Sequence, residues 1–367
     1  MNKQEIFIAK TIFTGEEWLS DHAVVIDGQL ITRVMPQSMI PTDAPVRDFG
    51  GQILAPAYID IQIYGAYGKL LSEFPEVDAL LRLNDYCRSG GAAHFMPTLA
   101  TNHLDVFKKA IDTIRTYWSQ GGLGVLGLHM EGPWINPVKR GAHIESLVRK
   151  AALDEVKEIL AYGEGVIKMI TMAPELTEPE VLDFIISRGI VVSAGHSNAS
   201  YEQALKGFAQ GIRAVTHLYN AMSPLAHREP GLVGASMDDD RVMASIIPDG
   251  HHVSYPAVRI AKSVMKDRLF VITDAVAETS SGPYQHQLME DKYESAGILS
   301  GSALTMHQAV LNLVNHCHID WEEALKMCSL YPARVLGLDE KLGKIKKTFT
   351  ASLIAIDPAS QSCLLIS

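Results

Sequence analysis

The sequence predicts an α/β fold: a (β/α)8 barrel of the TIM type with a small β-sandwich domain built from both chain termini. Three observations carry this expectation. Through the middle of the chain, short apolar runs alternate with amphipathic segments eight times, the count that a closed parallel barrel requires. Both chain ends have a different texture, with brief alternating runs broken by turns. Several of the internal runs end in a histidine or a carboxylate, at the strand ends where parallel α/β folds place their ligands.

The first 53 residues contain IFIAKTIFTG, AVVIDGQLITRVM and GGQILAP, and Asp27-Gly28 between two apolar runs is a hairpin signal. The last segment, LGKIKKTFTASLIAIDPASQSCLLIS, reads the same way. Because chain ends often meet, residues 1–53 and 344–367 are expected to form one sandwich, leaving 54–343 for the barrel. Candidate barrel strands run over 59–63, 93–99, 125–131, 166–173, 190–195, 214–218, 244–248 and 269–274. Helical connections are clearest in DVFKKAIDTIRTYWSQ and LDEVKEILAYG, where apolar residues recur every three or four positions. A late helical stretch, SALTMHQAVLNLVNHCHIDWEEALKMCSLYPARVLG, is expected to close the barrel.

Composition narrows the function. With 367 residues, 47% hydrophobic and 20% charged, the chain has the balance of a soluble globular protein. A net charge of -10 argues against a nucleic acid or an anionic membrane as the main partner, though not against a small anionic substrate held by a local cluster. Four dispersed cysteines, none in a CxxC pair, suit a reducing compartment and no thiolate metal site. The opening MNKQEIFIAKTIFTG lacks the apolar core of a signal peptide, so a cytoplasmic location is expected.

The chemistry gathers at strand ends. The third candidate strand ends in His-Met-Glu131-Gly-Pro, the fifth in Gly-His196-Ser, the sixth in Thr-His217-Leu and the eighth in Thr-Asp274-Ala. Glu131, His196 and His217 could offer one carboxylate and two imidazoles to a divalent ion, a set that suits zinc and equally iron. Asp274 is a further carboxylate across the barrel mouth, able to take a proton from a water on that ion and return it to a leaving group. Taken singly, each has a plainer reading: a hydrogen-bonded structural histidine, a loop-capping Glu131, an Asp274 helix cap. Four such residues at four strand ends favour a site. A second set, His143, Asn220, Arg228, His251 and His252, lies in loops of the same face and suits an anion; Arg228 alone could be a solvated loop charge. Two motifs mislead. Gly122-Leu-Gly124-Val-Leu-Gly127 matches GxGxxG but follows a helix and runs into a strand, the reverse of a dinucleotide site. The sequon Asn198-Ala-Ser200 means nothing in the cytoplasm.

HMEGPW, GHSNAS, THLYNAM, PDGHHV and VITDA, in this order and spacing, resemble the N-acetylglucosamine-6-phosphate deacetylases of the amidohydrolase superfamily, from APAYIDIQ through LYPARVLG and LGKI. The resemblance implies metal-dependent hydrolysis of the acetamide of a small sugar phosphate on a (β/α)8 barrel with a two-ended β-sandwich, in a homodimer. It implies Glu131, His196 and His217 as ligands of one divalent metal per subunit, zinc first and iron, cobalt or manganese otherwise. Asp274 would be the general acid/base and His143 the group that polarises the acetamide carbonyl. Ala142, His143, Asn220, Ala221, Arg228 and His252 would contact substrate, some of them across the dimer interface, and Ile298, Leu299 and Ser300 would line the sugar pocket. The chain departs from the family in three places. Two-metal members carry His-x-His on the first strand where this chain has Asp60-Ile61-Gln62, and Tyr64 stands where some one-metal members have asparagine. The stretch after Asp274, AVAETSSGPYQHQLMED, also differs.

Overall fold

The computed structural model describes residues 4–295 and 297–366, so the extreme ends of the expected sandwich, residues 1–3 and 367, lie outside the described residues. Its centre is an eight-stranded parallel sheet: β1 (Tyr58–Ile63), β2 (Ala92–Ala100), β3 (Leu128–Glu131), β4 (Ile167–Met172), β5 (Val191–Ala194), β6 (Ala214–Val215), β7 (Met243–Ile246) and β8 (Leu269–Val271). Neighbours in sequence are neighbours in space throughout. The ring closes just beyond β8, where Ala275 bridges to Ile63 in parallel and the Asp274 amide donates to the Gln62 carbonyl at 3.0 Å. The chain therefore folds as a (β/α)8 barrel.

Why these segments pair follows from their two faces. In β1, YIDIQI, every residue is buried. Period-two geometry sends Ile59, Ile61 and Ile63 to one face and Asp60 and Gln62 to the other. Each buried isoleucine contributes roughly 1.5–3 kcal/mol. The other face carries polar groups, and they satisfy one another. His129 of β3 meets Thr171 at 2.8 Å, Thr171 meets Thr216 at 2.7 Å, and Thr216 meets Ser193 at 2.6 Å. Asp60 accepts from the hydroxyl and amide of Thr273, although burial still pushes its carboxyl up to about 6.

Six of the eight strands, β3 to β8, are shorter than the sequence suggests, and in β3, β6 and β8 the difference is largest. Val125 makes only an isolated bridge to Phe95, so β3 begins at Leu128; β6 and β8 stop at Val215 and Val271 because the chain turns at the site residues that follow. Helices Met306–Asn315, Trp321–Cys328 and Leu330–Val335 pack against β1 and complete the barrel seam.

The remaining strands near the termini form two sheets. One has four strands: Glu5–Ile8, His22–Asp27, Leu30–Pro36 and Val46–Asp48. The other has five and mixes both ends of the chain, with Thr11–Phe13, Trp18–Ser20 and Ile53–Pro56 beside Leu353–Asp357 and Ser362–Leu365. Asp27 pairs with Leu30, leaving Gly28 (φ +60°) and Gln29 as the turn. Phe7, Val24, Ile12, Leu54 and Leu353 pack together between the two sheets. Strand Ile53–Pro56 belongs wholly to this unit, so the expected division after residue 53 would cut a strand. A three-stranded meander absent from the sequence expectation, Gln287–Met289, Lys292–Ser295 and Ile298–Ser302, stands over the barrel mouth. No helix among the described residues is long and apolar enough to cross a membrane.

Candidate active site

The segment from β5 to β6 shows how local structure delivers a side chain. Gly195 follows β5 and leaves room where a Cβ would sit 2.7 Å from Thr171 and 2.8 Å from Thr216. His196 then takes a positive φ of +47°, which swings its ring inward over the barrel end. Ser200 caps the next helix, Tyr201–Gln210, in a reciprocal capping box with Gln203, so the apparent sequon is a helix start. After β6, His217 repeats the turn with φ +38°, its amide held by the Ser245 hydroxyl at 2.7 Å. Asp274 beyond β8 does the same with φ +55°. Positive φ costs non-glycine residues energy, and here it falls on three of the residues aimed into one cavity.

Glu131, at the end of β3, is 2% exposed and stands at the centre. Its Oε1 lies 3.2 Å from His196 Nε2 and 3.1 Å from His217 Nε2, and those two nitrogens are 3.1 Å apart. These edges are close to the roughly 3.3 Å between neighbouring ligands of a tetrahedral zinc ion with bonds near 2.0–2.1 Å. The His196 tautomer agrees. His196 Nδ1 meets the Lys139 carbonyl at 2.9 Å; a carbonyl only accepts, so Nδ1 carries the proton and Nε2 presents a lone pair to its neighbours. A lone pair facing a carboxylate and a second imidazole calls for a cation between them, and a divalent metal fits this donor set. Burial lowers the His217 pKa, which keeps that ring neutral and able to ligate.

His143 also approaches Glu131, with Nε2 3.3 Å from Oε2, and Glu131, His143 and His196 form a second compact triad. The His143 tautomer argues against ligation. Its Nδ1 accepts from the Thr101 amide at 3.3 Å and lies 2.7 Å from the Thr101 hydroxyl, so the proton resides on Nε2 and makes that atom a donor. Burial and the neighbouring His196 bring the His143 pKa down to about 4, so the ring is a neutral donor. Burial opposes ionisation of Glu131 but is outweighed by the surrounding histidines, which hold its carboxyl below the usual range. Asp274 is the opposite case: burial, then the Glu131 charge, push it well above.

All five groups line one cavity of about 320 Å³, within the usual range for a small-molecule site. Ala142, Asn220, Ala221, His252, Leu299 and Ser300 line it as well. His252 is oriented by Asp249, 2.6 Å from its Nδ1, which leaves Nε2 free. Two expected contacts are not brought there. Arg228 is exposed on the segment after Ala221, and Ile298 is half exposed at the start of its strand, its side chain off the wall formed by Leu299 and Ser300. His251 turns away to Asp291 at 2.7 Å. Sequence reasoning missed Lys139, Tyr284 and His286, all on the wall.

A model of the amidohydrolase family matches residues 53–365. The chain belongs to the amidohydrolase family. A second model, the NagA composite domain, matches residues 7–54 of this amidohydrolase. The N-acetylglucosamine-6-phosphate deacetylase of Haemophilus influenzae is 34% identical, covering 95% of this chain and 94% of its own. The N-acetylgalactosamine-6-phosphate deacetylase of Escherichia coli O157:H7 is 32% identical with the same coverage. The crystal structure of an N-acetylglucosamine-6-phosphate deacetylase from Pasteurella multocida superposes with a TM-score of 0.94 at 33% identity, covering 99% of this chain and 98% of the other.

Proposed function

We propose that this amidohydrolase hydrolyses the acetamide of N-acetylglucosamine 6-phosphate to glucosamine 6-phosphate and acetate, a step of amino-sugar catabolism. The observation that carries the reading is that Glu131, His196, His217, His143 and Asp274 open onto one cavity that also holds Asn220, Ala221 and His252. Glu131 Oε1, His196 Nε2 and His217 Nε2 would hold one divalent metal per subunit, with zinc the first choice and iron, cobalt or manganese compatible with the same donors. Such an ion supplies a Lewis acid for the acetamide oxygen and lowers the pKa of an attacking water.

The chain's own groups do the rest. Asp274 accepts a proton from the attacking water as its oxygen bonds to the acetamide carbon, and then delivers that proton to the amine nitrogen as the C–N bond breaks. His143 Nε2–H donates to the carbonyl oxygen, where negative charge develops. Elsewhere on the cavity wall, the turn at Asn220 and Ala221 suits a phosphate, and His252, as an imidazolium paired with Asp249, would donate its Nε2–H to the same group; binding there orients the acetamide. Arg228, exposed and outside the cavity lining, would suit a phosphate held by a partner subunit, and we favour a homodimer.

A second reading has a specific basis: the galactosamine relative is nearly as similar as the glucosamine one, so the C4 epimer is also a candidate substrate. Acetate release should be measured with both N-acetylhexosamine 6-phosphates and their unphosphorylated forms, with each divalent metal supplied. Acetate should appear with a phosphorylated substrate. If none appears under any condition, the enzyme reading is wrong.

A further inference from the structure

Glu131 has two oxygens, and only Oε1 faces the nitrogens of His196 and His217. The other is committed elsewhere. The Tyr64 hydroxyl donates to Oε2, and His143 Nε2 approaches the same atom at 3.3 Å. Tyr64 in turn accepts from Gln62 Nε2 at 2.7 Å. That amide nitrogen also lies 2.9 Å from Asp274 Oδ1 and 3.1 Å from Glu131 Oε1. An amide has two N–H groups and cannot serve three acceptors. Once Oε1 is engaged by a cation, the two protons go to Tyr64 and Asp274. What remains is a continuous chain from Asp274 through Gln62 and Tyr64 to Glu131 Oε2. Gln62 is fully buried and the Tyr64 ring stands in the cavity wall.

We propose that Tyr64, braced by Gln62, is a positioning residue that occupies Glu131 Oε2 and so presents Oε1 alone to the metal. The phenol and the amide also fill the space between Glu131 and Asp274, where a second ion would need donors. Hydrogen bonds to the far side of a ligand fix its orientation, and losing one typically weakens metal binding about 10- to 100-fold. The proposal rests on the functional reading only for the ligand set Glu131, His196 and His217.

The test is metal affinity rather than turnover. Metal-free full-length protein is titrated with Zn2+ against a chromophoric chelator, and the visible spectrum of the Co2+-loaded form is recorded. Tyr64→Phe keeps the ring and removes only the hydroxyl; it should raise the zinc dissociation constant roughly 10-fold and shift the cobalt bands. Gln62→Met, which removes the brace, should weaken zinc less, and the double variant should be no weaker than about Tyr64→Phe, since both act along one chain. The thermal midpoints of the metal-free variants should stay near that of the parent, which a general packing defect would not allow. An affinity for Tyr64→Phe within 2-fold of the parent with an unchanged cobalt spectrum overturns the proposal, as does a parent that binds no metal. Should Tyr64→Phe fail to fold, an unaltered zinc affinity in Gln62→Met overturns it in its place. Zinc binding that depends on Tyr64 in a protein that releases no acetate upholds the inference and discards the deacetylase reading instead.

Discussion

Asp274 and Gln62 hold each other twice: the Asp274 amide donates to the Gln62 carbonyl at 3.0 Å, and Gln62 Nε2 donates to Asp274 Oδ1 at 2.9 Å. The first bond closes the barrel between its last and first strands, and the second aims a carboxylate. Closure and placement of the proton-transfer group are therefore one event. Asp274→Asn preserves size but cannot accept a proton. It should fold, retain metal and bind substrate, while acetate release falls about 100- to 10,000-fold. Turnover within 10-fold of the parent at full metal content would remove Asp274 from this role.

His143 and His217 both sit beside Glu131, yet the His143 tautomer, with its proton on Nε2, sets it apart as a donor, while His217 Nε2 faces Glu131 Oε1 and His196 Nε2. His217→Ala should lose metal, seen as a metal-to-protein ratio well below that of the parent by elemental analysis. His143→Ala should keep the parent ratio and lose roughly 100- to 1,000-fold in kcat, the usual effect of deleting one donor to a developing oxyanion. Metal loss from His143→Ala with retention in His217→Ala would exchange the two assignments.

Much of this arrangement was legible in the sequence because barrel strands leave a strong trace. Apolar runs such as VVSA and YIDIQI are suited to burial, and a polar residue ending such a run has few places to go but the barrel mouth. The meander at 287–302 left no such trace. Its strands QLM and KYES are exposed or half-buried, so neither burial nor alternation marks them. Gln62 and Tyr64 were seen as departures but not as a linked pair, because a glutamine and a phenol in a fully buried stretch look like core until their partners are placed. Tyr284 was hidden in a polar loop; only the fold shows its hydroxyl donating to the Thr101 carbonyl at 2.6 Å, stacked on His286. Arg228 is the converse case, since a loop charge beside a binding turn reads as a contact whichever subunit it serves.

The phosphate end can be tested apart from the chemistry. His252→Ala removes the free Nε2 near Asn220 and Ala221 without touching the five groups at the reacting bond. For a phosphorylated substrate KM should rise about 10- to 100-fold, the equivalent of one charge-assisted contact of roughly 1.5–3 kcal/mol, with kcat much less affected. For the unphosphorylated sugar the two proteins should be indistinguishable. Arg228→Ala should follow the same pattern only if the protein is a dimer, so sedimentation of the same samples decides where the guanidinium acts. Equal losses with both sugars would place the phosphate elsewhere.

Away from the metal site, stability itself should depend on pH. His94 in β2 is half-buried where barrel meets sandwich, its Nε2 2.9 Å from the Ser352 hydroxyl, and desolvation of the ring brings its pKa down from 6.5 to about 4. The folded state therefore resists a proton that the unfolded chain accepts. Stability from this group is complete above pH 6.5 and is lost as pH falls from 6.5 towards 4. Between pH 7 and pH 5 the loss is about 2 kcal/mol at most, and less to the extent that water reaches the ring. His94→Gln keeps a hydrogen-bonding group for Ser352 and cannot titrate. In metal-free protein, where proton release from the ligands does not intrude, the urea midpoint of the parent should drop more steeply from pH 7 to pH 5 than that of the variant. Parallel curves for the two proteins would mean that His94 is protonated in the folded state, and that its contact with Ser352 does not hold the ring neutral.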